Sequence, residues 1–327
     1  MVVDIFFDAL RSAVGPTAAA YALLAIGLNL HFGYTGLLNF GQVGFMLIGA
    51  YGVAISVATF GLPLWVGVLV SITGAVLLAL LLGVPTLRLR ADYLAITTIA
   101  AAEILRLLFR SRAAEPVTGG VFGLRQFAGG FYALNPIPDG SYLGPLATSS
   151  GRTWQMLVGW SLVGLMTLMV WLLIRSPWGR VLRSIREDED AARSLGKNVF
   201  NYKMQSLILG GVIGSIGGVM FALSLQTVQP DTFLPQVTFF AFAILILGGT
   251  ASTFGPIVGA VIFWFIISGL QSTMRRLSDA GSLPEFLGGQ AVGAVTLTFV
   301  GVMIMTLMIF RPQGILGNRR ELSLDVN

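Results

Sequence analysis

The side chains able to do chemistry are few and sit in a handful of places. Residues 175–203 carry seven basic groups, Arg175, Arg180, Arg183, Arg186, Arg193, Lys197 and Lys203, around the acidic run Glu187-Asp188-Glu189-Asp190. In an otherwise apolar stretch, Glu103 and Arg106 stand three residues apart, the spacing at which two side chains of one helix meet. Ionisable groups in a bilayer mark function by default, but this spacing favours a structural ion pair. His31 is the single histidine and cannot alone make a metal site or a proton relay; an interfacial or core-satisfied role suits it better. The chain has no cysteine, which excludes disulfides, iron–sulfur clusters and thiolate metal sites. Asn29, Asn39 and Gln42, with Gly41 between the last two, are uncharged hydrogen-bonding groups in a glycine-rich stretch. Nothing matches G-x-x-x-x-G-K-[ST], so the sequence offers no nucleotide-binding loop. These residues can bind, pack and transmit force. A nucleophile–base pair or a catalytic metal cluster is not among them.

The elements that must position them are membrane helices. Of 327 residues 55% are apolar and 11% charged, where a soluble chain carries about 25% charged residues. Residues 12–87 contain no Asp, Glu, Lys or Arg. A water-soluble domain could not hide such a run, so soluble enzymes and nucleic-acid-binding modules are excluded. The net charge of +5 reads as loop bias, not as a nucleic-acid footprint. Apolar runs of spanning length, about 20 residues each, fall near 16–32, 35–60, 63–83, 91–109, 154–174, 204–224, 234–250, 254–272 and 290–310. The expectation is an all-α, polytopic helical membrane protein of about nine (eight to ten) spans, one transmembrane domain over 1–327. Two regions, 35–60 and 234–272, are dense in glycine and polar residues and read as broken helices. Such breaks survive at membrane depth only where protein or a water-filled cavity covers the freed backbone groups.

The basic residues give an orientation. The positive-inside bias puts 175–203 and the tail 311–327 in the cytoplasm, the Arg88/Arg90 turn with them, and the glycine- and proline-rich loop 111–153 outside. Nine full crossings would leave Met1 outside, whereas a re-entrant segment near 33–50 would leave it inside. No basic leader or cleavage site precedes the first span, so no removable signal is expected. Within 175–203, Pro177 opens a short helix, Arg180, Arg183 and Arg186 share a face, and Gly196 supplies a stop. Gly210, Gly214 and Gly218 recur every fourth residue, the small-xxx-small pattern of close helix packing. Asn39-Phe40-Gly41-Gln42 and Thr253-Phe254-Gly255-Pro256 are weakly alike and occupy corresponding broken segments. By analogy with duplicated transport folds, a substrate path at that junction would be walled by Asn29, Asn39, Gly41 and Gln42 from one segment and Gly249 and Gly255 from the other.

Residue order adds a resemblance. Asp190-Ala191-Ala192, followed after three residues by Gly196, resembles the acidic-Ala-Ala-x-x-x-Gly signature of ABC-importer permeases. The wider stretch from Trp178-Gly179-Arg180 to Leu195-Gly196 is similar to branched-chain amino acid permeases. So are Gly33-Tyr34-Thr35-Gly36 through Gly41, Ala102-Glu103-Ile104-Leu105-Arg106, Thr118-Gly119-Gly120, Leu247-Gly248-Gly249 and Arg311-Pro312-Gln313-Gly314. These patches run over nearly the whole chain. The resemblance implies an ABC importer permease fold in the cytoplasmic (inner) membrane, with no cofactor of its own and ATP bound by separate ATPase subunits. It implies a coupling loop in which Arg183, Arg186, Asp190, Ala191, Ala192 and Gly196 meet those subunits. Further partners would be a second, homologous permease chain, an extracytoplasmic substrate-binding protein and a branched-chain or related neutral amino acid. One departure stands out: the family usually has a small residue and His where this chain has Gly41-Gln42, and an aliphatic residue at His31. Urea, short-chain amide and sugar permeases share the general architecture. An ion-coupled carrier is a further alternative, with Glu103 its one candidate carboxylate.

Overall fold

The computed structural model describes residues 2–89, 91–142, 148–279, 291–310 and 313–317. Arg90, Pro145, residue 290, Arg311, Pro312 and the tail from 318 lie outside them. Helix follows helix wherever the apolar runs demand it, because a backbone in lipid must satisfy its own hydrogen bonds. The amphipathic α1 (Val2–Ala13) leads into α2 (Pro16–Leu28), which continues as a π-helical turn, Asn29–Tyr34. Residues 35–41 then leave the helix, and α3 (Gln42–Ala54) ends in a second π turn, Ile55–Thr59. There follow α4 (Leu64–Thr86) and α5 (Ala91–Arg110), then a loop with α6 (Glu115–Thr118), β1 (Leu124–Arg125), α7 (Gly129–Ala133), β2 (Ser141–Tyr142) and β3 (Thr148–Ser149). The long α8 (Ser150–Arg175) leads to the short pair α9 (Pro177–Glu187) and α10 (Glu189–Ser194). The chain returns through α11 (Val199–Leu225), β4 (Thr227–Val228) and a 3-10 turn, Pro230–Thr232, to α12 (Gln236–Gly248), α13 (Gly255–Asp279) and α14 (Ala291–Phe310).

All nine expected segments are occupied by helix, but the count of spans is only approximate. Among the described residues six helices are long and apolar enough to cross a bilayer, and a seventh if α1 and α2, bent by 45° at their junction, act as one. Part of the difference has a physical cause. Asp92, Glu103, Arg106 and Arg110 make α5 too charged to qualify by apolarity.

The core gathers round α11, which packs most extensively against α2 and α3. The glycine stripe makes this possible: a Cβ on Gly210 would come within 2.4 Å of the Gly27 carbonyl oxygen, and one on Gly218 within 2.0 Å of that of Met46. On Gly214 it would strike the Gln42 amide at 2.5 Å. Outward faces are apolar instead, with Leu77 and Leu81 on α4, Ile104 on α5 and Leu165 and Leu172 on α8 exposed. The bundle has two ends. One bears the α9–α10 hairpin. The other bears the 111–153 loop, tied to the end of α11 by the antiparallel pairing of β1 with β4, while β2 pairs with β3.

Candidate functional site

Two broken regions meet in the bundle. In the first, α3 begins deep inside the protein, beside Leu24 of α2 and Gly210 of α11. A helix start exposes N–H groups without intrahelical partners, and lipid offers none, so side chains supply them. Asn39 Oδ1 accepts from the Gly41 N–H at 2.9 Å, Thr98 Oγ1 of α5 from the Phe40 N–H at 3.1 Å, and Thr238 Oγ1 of α12 from the Val43 N–H at 3.0 Å. The carbonyls freed by the π turn are met as well: Leu30 accepts from the Thr35 hydroxyl at 2.7 Å and the Ser206 hydroxyl at 3.1 Å.

These backbone anchors fix every proton in the buried network. With its Oδ1 taken by a backbone N–H, Asn39 must donate through Nδ2, to His31 Nδ1 at 3.1 Å and to Gln42 Oε1 at 3.1 Å. The Gln42 amide then donates to the carbonyls of Gly210 at 3.2 Å and Leu24 at 3.4 Å. His31 accepts at Nδ1, so its proton sits on Nε2 and is donated to the Leu207 carbonyl at 3.2 Å. The imidazole is neutral by connectivity: a second ring proton would face the Asn39 amide, which has nothing to accept it with. His31, Asn39 and Gln42 are all fully buried or nearly so.

The second broken region lies between α12 and α13. Gly249 has φ +112°, a conformation closed to L side chains, and a Cβ there would sit 2.4 Å from the Gly317 nitrogen. Backbone covers backbone here. The last carbonyls of α12, Leu247 and Gly248, accept from the N–H groups of Ile315 at 3.0 Å and Leu316 at 2.9 Å. Gly255, at the start of α13, approaches the Gly249 carbonyl so closely that a Cβ would be 2.3 Å from it. Asn29 joins the two regions. Its amide donates to the Ser252 carbonyl at 2.9 Å and accepts from the Ala251 N–H at 3.0 Å. The Tyr34 and Thr253 hydroxyls lie 3.3 Å apart beside it.

The charged hairpin rests on this junction. Arg186 donates to the Gly33 carbonyl at 2.5 Å, and the Arg183 guanidinium lies 5.9 Å from the centre of the Tyr34 ring. Leu182 and Ile185 turn α9 inward, and Ile185 with Ala192 and Val199 makes a small core under the hairpin. Asp188 caps α10, its carboxylate accepting from the N–H groups of Asp190 and Ala191, each at 2.9 Å. Gly196 ends it at φ +75°, its N–H bonded to the Arg193 carbonyl at 3.0 Å and that of Lys197 to Ala192 at 3.2 Å, which is a Schellman closure. Glu189 pairs with Arg193 at 2.9 Å and with Lys203. Asp190, Ala191 and Gly196 are left at the surface beside Leu195, 79% exposed.

At the other end Arg106 is buried in a cluster of ions. It holds both Glu103 oxygens, at 2.9 and 2.6 Å, and Asp231 at 2.6 Å. Arg110 lies 3.6 Å from the same Asp231. Sequence reasoning missed Asp231, and also Thr98, Ser206 and Thr238. A lone acid after a span, or a hydroxyl within one, carries no local signal of a partner on another helix. Among the described residues no group of three or more His, Cys, Asp or Glu could hold a metal ion.

Residues 13–310 match the family model described as "Branched-chain amino acid transport system / permease component". The chain belongs to this permease family. It is similar to the High-affinity branched-chain amino acid transport system permease protein LivM of Escherichia coli, 32% identical over 90% of this chain and 67% of that protein. Probable LivM of Methanocaldococcus jannaschii is 25% identical over 90% of both chains. The Nucleoside ABC transporter permease protein NupC of Lactococcus lactis is 26% identical over 71% of this chain and 73% of its own. The protein is therefore a multi-pass inner-membrane permease of the ABC transporter class, with a role in transport. Of the residues expected along a path, Asn29, Gly249 and Gly255 meet at the hairpin's end of the junction, while Asn39, Gly41 and Gln42 lie deeper, in the closed network.

Proposed function

We propose that this permease is the membrane-spanning subunit of an ATP-driven importer for branched-chain or closely related neutral amino acids. Separate ATPase subunits would grip the 175–203 hairpin in the cytoplasm. A second permease chain would complete the path, and an extracytoplasmic binding protein would deliver substrate over 111–153. The observation that carries this reading is the seating of the hairpin. Arg183 and Arg186 anchor its root on the π turn that ends α2, while Asp190, Ala191 and Gly196 stay at the surface for a partner and Ala192 packs beneath them. Motion of the hairpin therefore pulls on Gly33 and Tyr34, and through Asn29 on the loop 249–254. Both breaks would move together, which is what alternating access needs. The side chains within the two breaks are hydroxyl and amide groups, and the fixed charges beside them are Arg183 and Arg186 at the root of the hairpin. Family membership and the likeness to two LivM proteins support the amino-acid substrate, whereas the likeness to NupC favours a nucleoside as the competing one.

Reconstitution tests the reading. Proteoliposomes with the ATPase subunits, the partner permease and the binding protein should take up L-leucine only with ATP. Uptake by this chain alone would sink it, as would uptake of uridine in preference to leucine. Replacing residues 190–196 by a flexible linker should leave the protein inserted and abolish ATP-dependent uptake; normal uptake after that change would refute the coupling role.

A further inference from the structure

At the end of the bundle opposite the hairpin, the chain leaves a cavity of about 380 Å³, and small-ligand sites run from roughly 300 to 1,000 Å³. Its polar groups are divided by sign. On one side stands Arg152, whose guanidinium lies over the start of α2: its Nη2 is 3.6 Å from where a Cβ on Gly15 would sit. Among the described residues no carboxylate pairs with Arg152, in contrast to Arg106 or Arg276, which hold two each. Beside it begin α2, at Pro16 and Thr17, and α8, at Ser150, and neither helix has a side chain capping its start. The cavity is also lined by Ser224 and Leu225, the carbonyl end of the 27-residue α11, and by Gln226 after it.

Hydrogen bonds tie α8 and the outer loop to the end of α11. Tyr132 and the buried Gln155 both donate to the Leu223 carbonyl, each at 3.2 Å, and the Gln155 amide also donates to the Tyr132 hydroxyl. Burial holds the Tyr132 phenol above its ordinary range, so it stays a protonated donor and adds no negative charge to the cavity. A monovalent anion would use the Arg152 side and leave the α11 carbonyl side without a partner. A cation would meet Arg152 unopposed.

We propose that this cavity binds the head of a zwitterionic α-amino acid. The carboxylate meets Arg152 and the first turns of α2 and α8, and the ammonium meets the carbonyl end of α11. The side chain lies against Pro16, Leu225 and the Tyr132 ring. Because the polar groups read only the head, the pocket accepts neutral amino acids as a class and discriminates little among their side chains. The proposal rests on the amino-acid reading of the function and gives that substrate a first station on the binding-protein side.

The absence of cysteine from the chain makes the test direct. Thr17→Cys places one thiol in the cavity and Phe122→Cys places a control in the outer loop, at a residue 79% exposed. Each is labelled with a methanethiosulfonate reagent in the assembled transporter, without binding protein, and labelling of this chain is followed. L-leucine at ten times its dissociation constant should slow labelling of Thr17→Cys about 11-fold, by mass action. L-leucinamide and acetate should not slow it, and Phe122→Cys should label alike throughout. Arg152→Gln should abolish protection while leaving Phe122→Cys labelling, and hence insertion, unchanged; Arg152→Lys should retain part of it. Equal protection by leucinamide overturns the proposal, as does protection by acetate alone. Protection seen only when binding protein is added overturns it in favour of a protein-docking point. Uptake of L-leucine by the complete system, measured in parallel, separates the two readings. Uptake without protection overturns the pocket and leaves the substrate standing, and failure of both overturns both.

Discussion

The two broken regions solve one problem by different means. Around residues 29–42 the freed backbone groups are met by side chains: Asn39, Thr98 and Thr238 take N–H groups, and Thr35 and Ser206 reach a carbonyl. Around 248–255 backbone does most of this, with the turn 313–317 closing the end of α12 and glycines letting chains approach, and the Asn29 side chain reaches in from the first region to Ala251 and Ser252. The difference is one of tolerance. A side-chain network fails when a functional group is removed, whereas a backbone clasp fails when bulk or a ring is added and hardly notices which side chains it carries. It also bears on coupling, since the hairpin is seated on the first region and reaches the second through Asn29.

The sharpest way to break this contrast is Gly249→Val. A β-branched residue at φ +112°, against the Gly317 backbone, should cost more than about 4 kcal/mol and abolish recovery of folded protein from detergent. Folded protein at normal yield would mean that the clasp is not as tight as described. Next in size is Asn39→Leu, which orphans the Gly41 N–H, His31 Nδ1 and Gln42 Oε1 together and should lower stability by about 3–5 kcal/mol in a thermal melt. Ile315→Pro removes a single donor from the Leu247 carbonyl, and a loss of about 1–3 kcal/mol is expected. Ser252→Ala should change almost nothing, within about 0.5 kcal/mol, because Asn29 uses only the Ser252 carbonyl. If Ser252→Ala destabilises as much as Asn39→Leu, the division into a side-chain region and a backbone region is wrong.

Much of the architecture was legible in the residue order. Apolar runs located all nine helical segments, and Pro177 and Gly196 marked where the hairpin helices begin and end. The i,i+3 spacing of Glu103 and Arg106 located their pairing. What stayed hidden were partners far along the chain. Asp231 stands 125 residues from Arg106, and Ala251 stands 222 from Asn29. His31 looked isolated for the same reason, since Leu207, which accepts its proton, belongs to α11.

The sequence by itself determined that the chain must be helical in lipid, where it must break, and which family it resembles. Those are consequences of local composition: hydrophobic length, glycine, proline and the order of charges. Only the tertiary structure decided how the breaks are satisfied and what the hairpin holds. At membrane depth an unpaired N–H or C=O has no water to turn to, so its partner comes from whichever helix packing brings alongside.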